Sequence, residues 1–252
     1  MVTEMLLLAI AGLAGFMVLG LLMGIGLLPD PAEHPWAGVV GGPILMASAA
    51  AAYWGIERMM SRREPPAGPL VVEAERMSWS ATLGVVLLHV GAAVVGSMVL
   101  GAIQELAFEQ QVTEQDAIVD LVVTGDPLLL GLLAVVAVVL APLTEEALFR
   151  GLFFRRLMTH ASVSAAWILP ALLFAGAHWN PVGLAIYVWL GLVFAHAYSR
   201  TGRLAAAVLT HAGANAITLS LLLFAPPPEV EAAQGEAQSE ALAATEHADD
   251  AP

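Results

Sequence analysis

The chain has 252 residues, 59% of them hydrophobic and only 12% charged, with a mean hydropathy of +0.80. A soluble domain carries about twice that charged share, so the composition excludes an ordinary soluble enzyme and predicts an all-α, polytopic bundle of transmembrane helices. There is no cysteine, which rules out disulfides, thiolate metal sites and cysteine nucleophiles, and no basic patch outside short loops that would bind nucleic acid.

The N-terminal run MVTEMLLLAIAGLAGFMVLGLLMGIGLL lacks the basic start of a signal peptide and is longer than a signal peptide's apolar region. It is therefore expected to be a retained first span. Further apolar runs reach or approach the ~20 residues that cross a bilayer. Seven spans are predicted, at 5–28, 38–56, 79–103, 128–148, 164–179, 182–199 and 204–224, the fifth being short. The loop Glu57–Ser78 contains Pro and Arg, and the polar stretch Gln104–Asp126 has room for a short peripheral helix. Residues 226–252 hold seven acids and no base, with much Ala, Pro and Gln. Such a composition does not build a core, so a disordered acidic tail is expected. The chain then divides into an N-terminal transmembrane pair and loop (1–78), a membrane core (79–225) and the tail (226–252).

Charge sets an orientation. The protein has no lysine, and its nine basic residues are arginines in three clusters. Arg58, Arg62, Arg63 and Arg76 lie between the second and third spans. Arg150, Arg155 and Arg156 follow the fourth, and Arg200 and Arg203 lie between the sixth and seventh. These are alternate connections, so all three face the cytoplasm if the N-terminus is inside and the acidic tail outside. The expected location is a cell membrane of the bacterial inner-membrane kind.

The segment LTEEALFRG, residues 143–151, places three charges after a long apolar run. A helix rises 1.5 Å per residue, so Glu145 lies roughly 15 Å from the arginine anchor at 155–156. By the same measure His211 and Asn215 lie roughly 12 and 18 Å from Arg203, and His178 roughly 21 Å from Ser164. The hydrocarbon core is about 30 Å thick, so these polar residues converge near mid-depth, where ionisable groups are functional by default. Glu146 and Arg150 stand at i and i+4 with the acid first, the favourable order for a helical ion pair. Glu145, about 100° around the helix, is left without a local partner. Phe174 with His178, and His211 with Asn215, are also i, i+4 pairs on one helix face each. The small residues Ala175–Ala177 and Ala212–Ala214 permit close helix approach. His89 and His196 are read as structural.

EEALFR, FAGAH and HAGAN, in this order, match three motifs: two glutamates then an arginine, FxxxH, and HxxxN. The chain thereby resembles the CPBP family, which includes intramembrane CAAX-type prenyl endopeptidases and Abi-like bacteriocin-processing and self-immunity proteins. The resemblance implies hydrolysis of a peptide bond in or beside the membrane. The expected substrate is a membrane-anchored protein or peptide, lipidated or C-terminally anchored. Such hydrolysis needs an activated water, an oxyanion stabiliser and a proton for the leaving amine. Glu145 is assigned as general base, and His178 as the group that orients the water or shuttles the proton. His211 and Asn215 are assigned as oxyanion donors. Glu146 and Arg150 hold the geometry, with Glu146 close to the water, and Phe174 shapes the pocket wall. A zinc ion on Glu145, His178 and His211 is the alternative. No HExxH pair is present, and Asn is a poor zinc ligand, so no cofactor is favoured. The competing reading is a non-catalytic membrane protein of the same fold: an immunity protein, a scaffold or a transporter-like carrier.

Overall fold

The computed structural model describes residues 2–61, 76–108, 116–226, 230–235 and 239. Eight helices organise them, and no strand occurs among them. They are α1 (Val2–Gly24), α2 (Pro35–Ser61), α3 (Trp79–Phe108), α4 (Asp116–Thr124), α5 (Pro127–His160), α6 (Val163–Ala177), α7 (Leu184–Thr201) and α8 (Leu204–Phe224). The fold is an all-α polytopic bundle. Five helices, α1, α2, α3, α5 and α8, are long and apolar enough to cross a membrane. The other two predicted spans are also helical: α6 is shorter, and α7 carries a polar last turn ending in Ser199, Arg200 and Thr201. The helix expected within 104–126 is α4.

The bundle is apolar on its outside. Leu6, Ile10, Leu13 and Met17 on α1 and Leu87, Leu88, Val95 and Met98 on α3 are all exposed, as a lipid-facing surface requires. The polar groups lie within. Short connections set the helix ends. Asp126 caps α5 by accepting from the Leu128 and Leu129 amides, with Pro127 in the first turn, where its missing N–H is no loss. Ser162 caps α6. Gly202, at φ 64°, closes α7 in the left-handed conformation that glycine adopts without strain.

α5 lies at the centre, touching α2, α4, α6, α7 and α8. It extends well past the predicted span end at 148, because nothing in ALFRGLFFRR breaks a helix. Two stretches of it, Val136–Leu140 and Ala147–Phe154, are wound as π-helix. This changes the reading of Arg150. It does not belong to the loop cluster of arginines but is fully buried inside the bundle.

The other described arginines sit at one end. Arg156 pairs with Glu4 at 2.8 Å and Glu57 at 3.5 Å, tying the start of α1 and the end of α2 to the end of α5. Tyr53 donates its hydroxyl to the same Glu4 carboxylate at 3.2 Å. Arg203 donates to the Met77 carbonyl at 2.9 Å and lies over Trp79, joining the start of α3 to the start of α8. α6 begins directly after α5, and α7 returns antiparallel beside it, so both corners occupy the same end. Trp54 beside Arg58 and Trp79 beside Arg203 are the amphipathic rings expected at a membrane interface.

Two expectations for the loops and tail meet the structure only in part. Residues 62–75, 109–115, 227–229, 236–238 and 240–252 lie outside the described residues, and with them Arg62, Arg63 and most of the predicted disordered tail. Within the tail, 230–235 is helical, Val230 is buried against Leu121 and Val122, and Gln234 donates to the Val122 carbonyl. The tail's beginning is thus packed, because Val230 gives it one apolar side chain to bury among the acids.

Candidate functional site

The site is built where α5, α6, α7 and α8 meet. Glu146 and Arg150 are both fully buried and joined at 3.0 Å. One helical turn brings them together, and the second π-stretch begins directly after Glu146. His211 on α8 donates Nδ1–H to the same Glu146 oxygen at 3.0 Å. Arg150 donates Nη2 to the Gly191 carbonyl on α7 at 2.8 Å. A buried charge left alone in a bundle costs several kcal/mol, and here one carboxylate, one guanidinium and one imidazole from α5 and α8 offset each other through Glu146 Oε1, while Glu146 Oε2 and Arg150 Nε stay buried without a partner.

Phe174 is the hub of the aromatic side. It is 1% exposed. The Arg150 guanidinium lies 4.5 Å from its ring centroid, a cation–π distance. The His178 ring is at 4.7 Å and the His211 ring at 5.8 Å from it. A residue that reads in sequence as a pocket wall thus touches three of the polar residues of the three motifs.

His178 closes α6. Its Nδ1–H donates to the Phe174 carbonyl at 2.8 Å, so in the neutral ring the lone pair is on Nε2. Trp179 follows at φ 52°, the one non-glycine residue with positive φ among those described. Such strain concentrates at functional sites. The loop is held firmly: Asn180 accepts from the Gly183 amide at 2.9 Å, and Gln104 of α3 donates to the Val182 carbonyl.

Glu145 lies within electrostatic reach of His178 and Arg150, yet its Oε2, like that of Glu146, is buried without a hydrogen-bond donor. An unsatisfied buried acceptor of this kind costs roughly 1–3 kcal/mol, more when charged. One turn further along α5, Leu148 and Phe149 line a cavity of about 770 Å³ that also touches His178, Trp179 and Asn180. Its other walls come from α1, α2 and α6, with Gly12, Gly42 and Gly176 presenting bare backbone to open space.

Asn215 is directed elsewhere. Its amide donates to the Ala137 carbonyl on α5 at 2.8 Å. In the π-register of Val136–Leu140 the Ala141 amide reaches back five residues to the Val136 carbonyl. The next donor would be residue 142, a proline without N–H. Asn215 therefore supplies the donor that the helix cannot, and one amide hydrogen remains for another partner.

A zinc set does not assemble. Among the described residues no three of His, Asp and Glu converge as a group that could hold a metal ion. His211 and Glu146 are engaged with each other, and Arg150, a cation, shares the carboxylate. The set expected for the zinc alternative, Glu145, His178 and His211, is not brought together as a metal-holding group among the described residues. His89 and His196, read singly from sequence, are paired: His196 Nδ1–H donates to His89 Nε2 at 2.7 Å, and His89 Nδ1–H to the Val85 carbonyl at 2.7 Å. They lock α3 to α7 apart from the four-helix site.

Sequence reasoning passed over α7. Tyr187 stacks on His178, Phe194 stacks on His211, and the Gly191 carbonyl receives Arg150. The i, i+4, i+7 spacing of Tyr, Gly and Phe in YVWLGLVF was the available signal.

Residues 127–217 match the family described as type II CAAX prenyl endopeptidase Rce1-like. This segment is similar to the Rce1-like family. The match runs from the start of α5 into α8 and contains Glu145, Glu146, Arg150, Phe174, His178, His211 and Asn215. The hairpin α1–α2, which walls the cavity, lies outside it. No curated protein and no solved structure matches the chain.

Proposed function

We propose that the protein is a metal-independent intramembrane endopeptidase that cleaves a membrane-anchored protein or peptide with water activated by Glu145. The observation that carries this reading is the buried, donor-less carboxylate oxygen of Glu145, within electrostatic reach of His178 and one turn from Leu148 and Phe149 of an apolar cavity, whereas Glu146, whose Oε2 is also donor-less, is taken up by Arg150 and His211 through Oε1. A carboxylate held this way is a proton acceptor in search of a partner, and a water that donates to it is oriented for attack.

Water adds to the scissile carbonyl carbon while its proton passes to Glu145. The carbonyl oxygen becomes an anion, and donors already in place stabilise it without reorganisation. The remaining Asn215 N–H takes this role, and His211 joins it in its imidazolium form, which donates from Nε2 while Nδ1–H stays on Glu146. The C–N bond then breaks, and the proton held by Glu145 is delivered to the leaving nitrogen, with His178 Nε2 as the shuttle. The products are a carboxylate and an amine. Glu146 and Arg150 hold the His211 ring from behind. The cavity between the hairpin and α5–α6 gives an apolar substrate segment a lateral place beside His178. The membrane context and the Rce1-like match support a substrate that is itself membrane-bound.

The test compares membrane proteomes of cells carrying the wild type and Glu145→Gln. Uncleaved membrane proteins should accumulate with the variant, and the purified wild type should cleave them with or without a chelator. Identical proteomes would overturn the catalytic reading in favour of a non-catalytic protein of the same fold. Loss of cleavage on chelation, restored by zinc, would overturn the metal-free chemistry.

A further inference from the structure

Each site histidine lies flat against one aromatic ring of α7. The Tyr187 ring stacks on His178 with centroids 4.1 Å apart and planes 25° apart. The Phe194 ring stacks on His211 at 4.5 Å and 16°. The two aromatics are seven residues apart, two helical turns, so they project from one face. Between them Gly191 gives its carbonyl to Arg150. A Cβ on Gly191 would sit 3.0 Å from the Ala171 Cα, so its bare backbone is what lets α7 lie this close to α6.

We infer that Tyr187 and Phe194 form an aromatic backplate whose function is to fix the ring planes of His178 and His211, and that both are positioning residues for the reaction. This rests on the assignment of the two histidines to the site. Among the described residues each imidazole is held by a hydrogen bond through Nδ1: His178 to the Phe174 carbonyl and His211 to Glu146. One such bond fixes a point and a direction but leaves the ring free to rock about the N–H···O axis. Rocking swings Nε2, the atom that faces a substrate, through an arc. A parallel aromatic face removes that freedom, and offset stacking of this kind adds its own attraction.

The local chain is shaped around the Tyr187 ring. A Cβ on Gly183 would lie 2.8 Å from Tyr187 Cε2 and 3.3 Å from the Asn180 side chain. The turn after His178 therefore needs glycine at that place so that the tyrosine can reach under the histidine. Trp179, held at positive φ, completes the same tight turn. α7 thus contributes no motif residue of its own, yet it determines where both imidazoles point.

The experiment uses the purified full-length protein with Tyr187→Phe, which keeps the plate, and Tyr187→Leu, which removes it. Tyr187→Met is the second plate-less variant should Leu fail to fold. Two readouts are taken. In turnover of a membrane-anchored substrate, loss of the plate should lower kcat by about 100-fold, the scale of a small misplacement, with KM unchanged, while Tyr187→Phe retains activity. Independently, the rate of His178 carbethoxylation by diethyl pyrocarbonate, followed by mass spectrometry, should rise in the plate-less variants and stay at the wild-type rate in Tyr187→Phe. Wild-type kcat and wild-type carbethoxylation in the plate-less variants would overturn the inference, as would an equal loss in Tyr187→Phe, which would assign the role to the hydroxyl. A wild type that cleaves no better than Glu145→Gln would overturn the proposed function, and the carbethoxylation rates would still decide the backplate.

Discussion

Two adjacent glutamates in one helix each have an Oε2 buried without a donor, but their surroundings differ. Glu146 accepts from Arg150 and His211 through a single oxygen. Glu145 has a buried oxygen with no donor. About 100° of helix separates a residue that holds the bundle together from the one proposed to activate water. The difference yields a stability prediction. Arg150→Ala leaves Glu146 buried without its cation, which should cost about 3–5 kcal/mol. Replacing both members, Glu146→Leu with Arg150→Met, removes the charge altogether and should recover much of that loss. Thermal unfolding in detergent, compared for the single and double variants, measures it. A double variant less stable than Arg150→Ala would mean that the pair contributes through the His211 and Gly191 contacts more than through charge balance. Glu145→Gln, by contrast, should leave the unfolding temperature near the wild-type value, since no protein donor is lost.

At the scale of the element, α5 departs from what an apolar run announces. Its helical nature and the Glu146–Arg150 pair were legible in the sequence, because 3.6-residue periodicity and i, i+4 spacing are local properties. The π-stretches were not, since hydropathy is blind to helical register. The Asn215–Ala137 bond was equally invisible. It spans 78 positions and exists because a π-register meets Pro142. The stacked rings of α7 likewise depend on which faces meet across helices. These features lead to a prediction specific to the element. Asn215→Leu strips the Ala137 carbonyl of its donor and should destabilise the protein by about 1–3 kcal/mol. Pro142→Ala returns an N–H to α5, so the double variant should regain a large part of that stability. It should not regain activity if the second amide hydrogen of Asn215 serves the oxyanion. A double variant restored in both respects would confine Asn215 to a structural role.

Among the described residues the basic charge, Arg150 apart, lies at one end and the cavity runs towards the other. Arg58, Arg155, Arg156, Arg200 and Arg203 belong to the end where α1 starts and α2, α5 and α7 finish, and there Arg155 and Arg156 pair with Glu4 and Glu57. Removing Arg150 from the loop cluster leaves the alternate-loop pattern intact, so the argument for orientation no longer depends on it. The cavity runs from the middle of the bundle to the opposite end, where Leu28 and Pro31 of the α1–α2 connection meet Trp179 and Pro181. By the bias of arginine towards the cytoplasm, the arginine end is predicted to face inward and the far end of the cavity outward. The absence of cysteine makes this directly measurable, because a single introduced thiol is the only one present. Asp30→Cys lies exposed in the α1–α2 connection, and Thr159→Cys lies exposed at the end of α5. A membrane-impermeant maleimide added to intact cells should label the first and spare the second until the membrane is opened. The reverse pattern would invert the protein and turn the far end of the cavity to the cytoplasm. Labelling of both from outside would place the two ends of the bundle on one side, which a spanning α5 does not allow.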